Sequence, residues 1–447
     1  MWFERGIQAR SMVLACVMWL LVAQPGGAVT LLRDADIEQG LTQLAAPVLR
    51  AAGLSPTRVR ILVVDDSTLN AFILDNQTIF LHSGLIQKLE TPEALQAVIA
   101  HEAAHIANGH IARRMGNLRS ARTAANLGLA LAAIAAAAGS TQAATGIAIG
   151  TTSSAARSFL AHTRAEESSA DRSAAGYLTR AGISPRGLVQ LHEVFRGQEV
   201  LSVSRQDPYT RSHPLTRDRI RAAQAYLSSA GDSAKPTANS AYWFARVRGK
   251  LSAFSRAPKW TLRRLKENKA KDTRLMREAI AYHRRNDLKR ALAAINGAIA
   301  LRPRDAFYYD LKGQILMESR QTSAAVAAYK TAVSLAPSDA LVQAGYGRAL
   351  LAAGQPKSAL QALERSRARD FRNTRMLRDM AVAYAKTNQI GMASVVTAER
   401  YALQGRLKDA GIHAKRASGA LPRGSGAWQR AQDVLVAWER LEKRKKR

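Results

Sequence analysis

A single cysteine stands in 447 residues, which excludes a disulfide framework and any cluster built on thiolate ligands. Aromatic residues amount to only 6% against 47% hydrophobic. The core must therefore come from aliphatic side chains, chiefly Ala and Leu, which favours helices over a β-rich fold. Acidic residues are also scarce, 34 Asp+Glu against 66 Lys+Arg, for a net charge of +32. The deficit is local. Residues 241–447 hold 43 Lys+Arg against 16 Asp+Glu, whereas residues 1–240 hold 23 against 18. The basic character thus belongs to the C-terminal half and needs its explanation there. The length allows two or three domains, each with its own core.

A comfortable membrane span is missing as well. Residues 11–23 are uncharged and mostly apolar, behind Arg5 and Arg10, but the run is shorter than a bilayer requires. Pro25-Gly26-Gly27-Ala28 offers a small-residue cleavage site, so residues 1–28 read as an export signal, with an uncleaved signal anchor as the alternative. Cleavage would remove Cys16, the one thiol, as suits an oxidising compartment in which no disulfide is used. Residues 123–156 carry no charge and are rich in Ala and Gly. Glycines and Ser140-Thr141-Gln142 break this run into pieces nearer in length to buried or membrane-apposed helices than to a spanning hairpin.

What is present organises itself into two units. From Asp34 to about Leu227 the pattern mixes helices with short β-branched runs, at 58–64 and 78–82 with 70–74 between them, which suggest a small antiparallel sheet. Thr91-Pro92-Glu93 is a helix start. Residues 228–272 open with the polar stretch SSAGDSAKPTANS and read as linker and connecting segment. Beyond them LRPRDA at Leu301 returns as LAPSDA at Leu335, and Gly313, Leu316 and Ala325 recur as Gly347, Leu350 and Ala359, all on a step of 34 residues. That period is the mark of tetratricopeptide helix pairs, stronger than a generic helical bundle. The fold class is therefore an α+β domain over 29–227, mostly helical with the small sheet, followed by an all-α tetratricopeptide-repeat solenoid over 273–447 with a basic tail. Four or five helix pairs and a capping helix near 427–440 are expected.

The chemistry lies in the first unit. HEAAH at 101–105 is HExxH. On a helix His101 and His105 share a face and can reach one cation, with Glu102 beside them. Two satisfied core histidines are the bland alternative. A catalytic zinc needs a third protein ligand and an open fourth position. AEESSADR at 165–172 offers Glu167 as ligand and Asp171, four residues on, as acceptor for the free N–H of a ligating imidazole. Glu166 competes with Glu167 but lacks an Asp at i+4. In SHPLTRDR, His213 precedes a proline and is held extended. It suits either an oxyanion donor or, swung inward, a fourth ligand that silences the metal. His110 packs beneath the pair, while His82, His162 and His192 receive no role.

HEAAHIANGH, ESSAD and HPLTRDR in that order resemble the HtpX-type gluzincin metallopeptidases. LNAFIL and TIFLHSGLI match their lead-in. The export signal and repeats are similar to the periplasmic BepA-like branch, the β-barrel assembly-enhancing proteases. The resemblance implies one zinc ion (Zn2+) per chain on His101, His105 and Glu167, and Glu102 as general base. It places Asp171 and Arg219 behind the ligands and His213 at the transition state or as a regulatory ligand. It sets Asn70, Ala71 and Phe72 along the substrate cleft.

Tetratricopeptide arrays present a groove to peptides or partner proteins. A positive field would steer acidic clients or an anionic membrane surface towards it, with a charged solubilising surface as the plain alternative. Nucleic acid, the usual partner of such charge, is excluded by export. Two functions follow. One is a periplasmic, membrane-apposed zinc endopeptidase acting on misfolded or stalled envelope proteins, with the repeats recruiting substrate or an assembly-machinery protein. The other is a chaperone or assembly scaffold with a latent metal site.

Overall fold

The structure is a computed structural model that describes residues 30–113, 164–202, 205–230 and 236–445. The export segment with Cys16, the uncharged 123–156 run, His162 and the last two residues of the basic tail lie outside the described residues.

The chain enters through β1 (Leu31–Leu32) and helix α1 (Ala35–Ala51). Asp34 caps α1 by accepting from the Ile37 N–H at 2.9 Å, and Ile37, Leu41, Leu44, Val48 and Leu49 make its buried stripe at helical spacing. Strands β2 (Arg60–Val64), β3 (Ala71–Ile73) and β4 (Thr78–His82) follow, in sheet order β1-β2-β4-β3. The small sheet is mixed and not wholly antiparallel. β1 with β2 and β3 with β4 are antiparallel, but β2 and β4 run parallel with Leu62 opposite Phe80. The cause is strand placement: β3 lies outermost, so β4 returns between it and β2 in the direction of β2. Every residue of β4 is buried, as a central strand covered on both faces requires. Ile61, Val63, Ile79 and Leu81 join the main core. Leu62, Val64, Phe72, Leu74 and Phe80 form a separate apolar cluster on the other face.

After α2 (Ser83–Lys88) comes α3 (Pro92–Ala107), capped by Thr91, whose hydroxyl accepts from the Ala94 N–H. All its residues from Pro92 to His105 are buried, so α3 is the central helix of the unit. Around it pack α1, β3, β4, α4 (Arg164–Arg180) and α5 (Arg186–Phe195). Helices α6 (Pro208–Ser212) and α7 (Arg217–Ala230) complete the unit.

Within 228–272, helices α8 (Ala238–Ser255) and α9 (Pro258–Arg263) connect onward, and α8 packs on both α1 and the first repeat helix. Five antiparallel pairs follow: α10 and α11 (Lys271–His283, Leu288–Leu301), α12 and α13 (Ala306–Glu318, Thr322–Leu335), α14 and α15 (Ala340–Ala352, Pro356–Arg369), α16 and α17 (Thr374–Lys386, Ile390–Leu403), α18 and α19 (Leu407–Ala420, Gly426–Lys445). Asp305, Asp339 and Asn373 cap α12, α14 and α16 in step. The recurring glycine has a steric reason. A Cβ at Gly313 would stand 2.6 Å from the Tyr329 ring, and one at Gly347 2.6 Å from Leu363, because paired helices cross closely there.

The array folds against the first unit through buried charge. Asp370, between α15 and α16, accepts from Arg33 at 2.6 Å and from Arg60 at 3.0 Å. Arg246 of α8 joins Asp36 of α1 to Asp305, and Lys250 holds Asp34 at 2.8 Å. Among the described residues no helix is long and apolar enough to cross a membrane.

Candidate active site

His101 and His105 stand one turn apart on α3, both fully buried, with their Nε2 atoms 3.1 Å from each other. Glu167, near the start of α4, faces both. Its Oε2 lies 3.3 Å from His101 Nε2 and its Oε1 3.3 Å from His105 Nε2. His213 closes α6, and its Nδ1 lies 3.1 Å from Glu167 Oε1 and 3.4 Å from His101 Nε2. One ligand atom from each of His101, His105, Glu167 and His213 lies within 4.8 Å of all the others. Of the two competing glutamates, it is Glu167 and not Glu166 that reaches this cluster.

Local structure explains the convergence. Glu167 and Asp171 are four apart on α4 and share a face. Asn108, at the end of α3, donates to Ser169 and Ser173 of α4 and fixes the two helices in register. His213 precedes Pro214 and adopts φ −124°, ψ 78°, outside the α region as a residue before proline prefers, so α6 ends there. Its N–H bonds back to the Tyr209 carbonyl at 2.7 Å.

A supporting layer lies behind the ligand atoms. His101 Nδ1 donates to Asp171 at 2.9 Å, which leaves Nε2 for the cluster. Arg219 grips the same carboxylate through two nitrogens at 2.7 and 2.9 Å and also reaches Glu167 at 2.9 Å. On the far side of the cluster, His213 Nε2 donates to the Ala71 carbonyl at 3.3 Å, which brings edge strand β3 to the site. Asn70, just before that strand, and Phe72, within it, stay apart. The Asn70 carbonyl accepts from the His82 N–H of β4, and the Phe72 ring stacks on Phe80 in the far cluster.

Three residues given no chemical role at the sequence level belong to this constellation. Tyr209, one turn before His213 on α6, packs its ring 4.5 Å from the His213 ring. His192 of α5 is buried 3.5 Å from Asp171. The His110 Nδ1 stands 2.8 Å from His105 Nδ1. Tyr209 and His213 are four apart on one short helix, so that spacing carried a signal. His192 carried none, since its partner is on another helix.

The electrostatics suit a cation. Burial would raise Glu167, but His213, His101 and Arg219 hold it well below the usual carboxylate range. Burial opposes charge on His101, yet Glu167 and Asp171 hold its imidazolium up to about 10. Burial keeps His105 neutral, well below the ordinary histidine value, and the neighbouring imidazoles add to this against Glu167. Burial also lifts Glu102, with Glu167 adding and His213 and His101 opposing. Both Glu102 carboxylate oxygens are buried with no hydrogen-bond partner among the described residues, and Oε1 lies 3.5 Å from His213 Nε2. Two imidazoles whose Nε2 atoms meet at 3.1 Å, a stabilised carboxylate facing both and a second buried carboxylate beside them fit a zinc ion, whose charge would take the place of the proton that His101 carries without it.

Residues 32–227 match the family model described as peptidase family M48, and residues 316–381 match that of the tetratricopeptide repeat. The β-barrel assembly-enhancing protease of Escherichia coli (strain K12) is 24% identical over 313 residues, covering 68% of this chain and 63% of that protein. The putative β-barrel assembly-enhancing protease of Vibrio cholerae serotype O1 is 29% identical over 192 residues, 42% of this chain and 39% of that one. Protease HtpX of Enterobacter sp. (strain 638) is 36% identical over 95 residues, 20% of this chain and 31% of that one. The chain thus spans 63% of the length of the Escherichia coli relative.

Proposed function

We propose that this chain, a peptidase family M48 domain followed by tetratricopeptide repeats, is a zinc-dependent endopeptidase of the cell envelope that cleaves misfolded or stalled envelope proteins. The observation that carries the reading is the meeting of His101, His105, Glu167 and His213 within 4.8 Å beside the unshared carboxylate of Glu102. The division that goes with it is an export signal over 1–28, the peptidase domain over 29–227, a connecting segment over 228–272 and the repeats over 273–447. Export places the protein in the periplasm. The relatives' printed name, β-barrel assembly-enhancing protease, suggests outer-membrane protein quality control as the setting.

In this reading His101, His105 and Glu167 hold one zinc ion per chain. When bound, zinc supplies a Lewis acid and lowers the pKa of water to near neutrality. Glu102 is the general base. Burial makes its carboxylate more basic, so it takes the proton of the attacking water and returns it to the leaving amine. The His213 ring donates to the oxyanion of the tetrahedral intermediate. Asp171 and Arg219 keep the His101 ring and the Glu167 carboxylate in place. Strand β3, at the sheet edge beside His213, offers backbone groups along which an extended substrate can lie, with Asn70, Ala71 and Phe72 as its bordering residues. The repeats recruit clients or an assembly-machinery protein, and their basic surface favours acidic segments and an anionic membrane face.

The deciding experiment is Glu102→Gln in the full chain, followed by cleavage of unfolded casein and zinc content. Cleavage lost with zinc retained supports the assignment. Normal cleavage by the variant would remove Glu102 from the role of base.

One observation favours a second reading. His213 is itself inside the ligand set, 3.1 Å from Glu167, where it can occupy the fourth position. The protein would then be a chaperone or assembly scaffold with a latent peptidase centre. His213→Ala separates the two: cleavage that rises marks a self-silenced centre, and cleavage that falls marks an oxyanion donor.

A further inference from the structure

The ligating pair on α3 is supported unequally by what surrounds it. His101 has Asp171 behind it. The group behind His105 is another imidazole, His110, with Nδ1 facing Nδ1 at 2.8 Å and the ring planes at 70°. His110 is 1% exposed. Had α3 continued unbroken, a residue five positions beyond His105 would have pointed about 140° around the axis from it. The helix stops instead. Asn108 ends it, and Gly109 takes φ 68°, a left-handed turn that brings His110 back beneath His105. A Cβ on Gly109 would meet nothing within 4 Å, so the glycine serves the turn and not the space.

Two imidazole nitrogens at this distance share one proton, so one ring donates and the other accepts. Were His110 the donor, the proton of a neutral His105 would have to be on Nε2. That is the atom 3.3 Å from Glu167 and 3.1 Å from His101 Nε2, and protonated it has no lone pair for a metal. With His105 the donor, Nε2 carries the lone pair and faces the cluster.

We infer that His110 is a positioning residue, whose Nδ1 accepts the Nδ1 proton of His105 and thereby fixes the metal-ligating tautomer and orientation of that ring. The inference rests on the zinc reading above and adds to it the group that orients the second ligand, as Asp171 orients the first. Outer partners of this kind are worth 10- to 100-fold in metal affinity. His110 must itself be neutral in this arrangement, with its proton on Nε2.

The test compares full-length wild type with His110→Phe, which keeps a ring but no acceptor, and with His110→Asn, which puts a carbonyl oxygen near the place of Nδ1. Zinc affinity is measured by competition with a chromophoric chelator at fixed pH, with apo-protein circular dichroism as the check on folding. His110→Phe should lose 10- to 100-fold in zinc affinity, while His110→Asn stays close to wild type. Equal affinity in His110→Phe, or an equal loss in His110→Asn, would overturn the inference. Nitrogen-15 histidine spectra of the zinc-loaded wild type decide the matter without any variant. They should show a protonated Nδ1 on His105 and an unprotonated Nδ1 on His110, and the reverse pattern contradicts it. A wild type that takes up no zinc would overturn the metal reading itself and this inference with it.

Discussion

At the scale of single residues, the site is a set of charges that compensate one another out of contact with water. Asp171 shows it best, since one carboxylate serves the His101 N–H and two nitrogens of Arg219. Replacing it with Asn keeps an acceptor and the shape but removes the charge that favours a basic, correctly oriented imidazole. Zinc affinity of Asp171→Asn should fall about tenfold, read by chelator competition, with the casein-cleaving activity of the fully loaded protein much less affected. Unchanged affinity would show that Asp171 only braces Arg219. These residues were legible early because i and i+4 positions on one helix share a face whatever the rest of the fold does. Tyr209, His192 and His110 were harder. The partners of His192 and His110 lie on another helix or across a helix break, where no spacing rule applies, and the four-residue step from Tyr209 to His213 carries a signal only once the short helix that holds them is known.

At the scale of elements, local signals placed the helices and the repeats but not the pairing of strands. Thr91-Pro92 opened α3 as its chemistry requires, and the 34-residue step reappears in the caps Asp305, Asp339 and Asn373. Whether β4 would lie between β2 and β3 depended on long-range packing, so the parallel pair was not readable from alternation. Likewise Gly109 is one glycine among 29 until its positive φ is seen. The repeat glycines yield a sharper expectation. In Gly347→Ala the new Cβ would stand 2.6 Å from Leu363, inside the contact between α14 and α15. The repeat array should be destabilised by about 1–3 kcal/mol, seen as a lower melting transition with zinc content unchanged. A melting point equal to wild type would mean that Leu363 yields without cost.

At the scale of the whole molecule, the repeats hold the peptidase unit through buried carboxylates. Asp370, held well below the usual carboxylate range by Arg33 and Arg60 against burial, is one anchor. Asp370→Ala leaves Arg33 with Glu38 alone and Arg60, partly exposed, with Glu38 at 3.5 Å, and should cost about 1–3 kcal/mol, most directly seen as separate unfolding of the two units in calorimetry. A single unshifted transition would contradict that role. Asp310 works in the opposite sense. Burial, with Asp34, Asp339 and Asp36 adding and Lys250 opposing, pushes its carboxyl up to about 8. Below the ordinary carboxylate value of about 4 both folded and unfolded chains carry this proton. Between there and about 8 only the folded chain does, so this group's contribution to stability falls as pH rises. Asp310→Asn should flatten that slope in melting curves from pH 4 to 8, and a slope identical to wild type would exclude Asp310 as its source.

Everything proposed for this chain rests on the buried His101, His105 and Glu167 cluster working as a zinc centre. Its most direct test is zinc content measured alongside casein cleavage on one preparation of the full chain, before chelation, after it, and after zinc is restored. One zinc per chain is expected, with cleavage lost on chelation and recovered with zinc. Cleavage that persists in the zinc-free protein would contradict it.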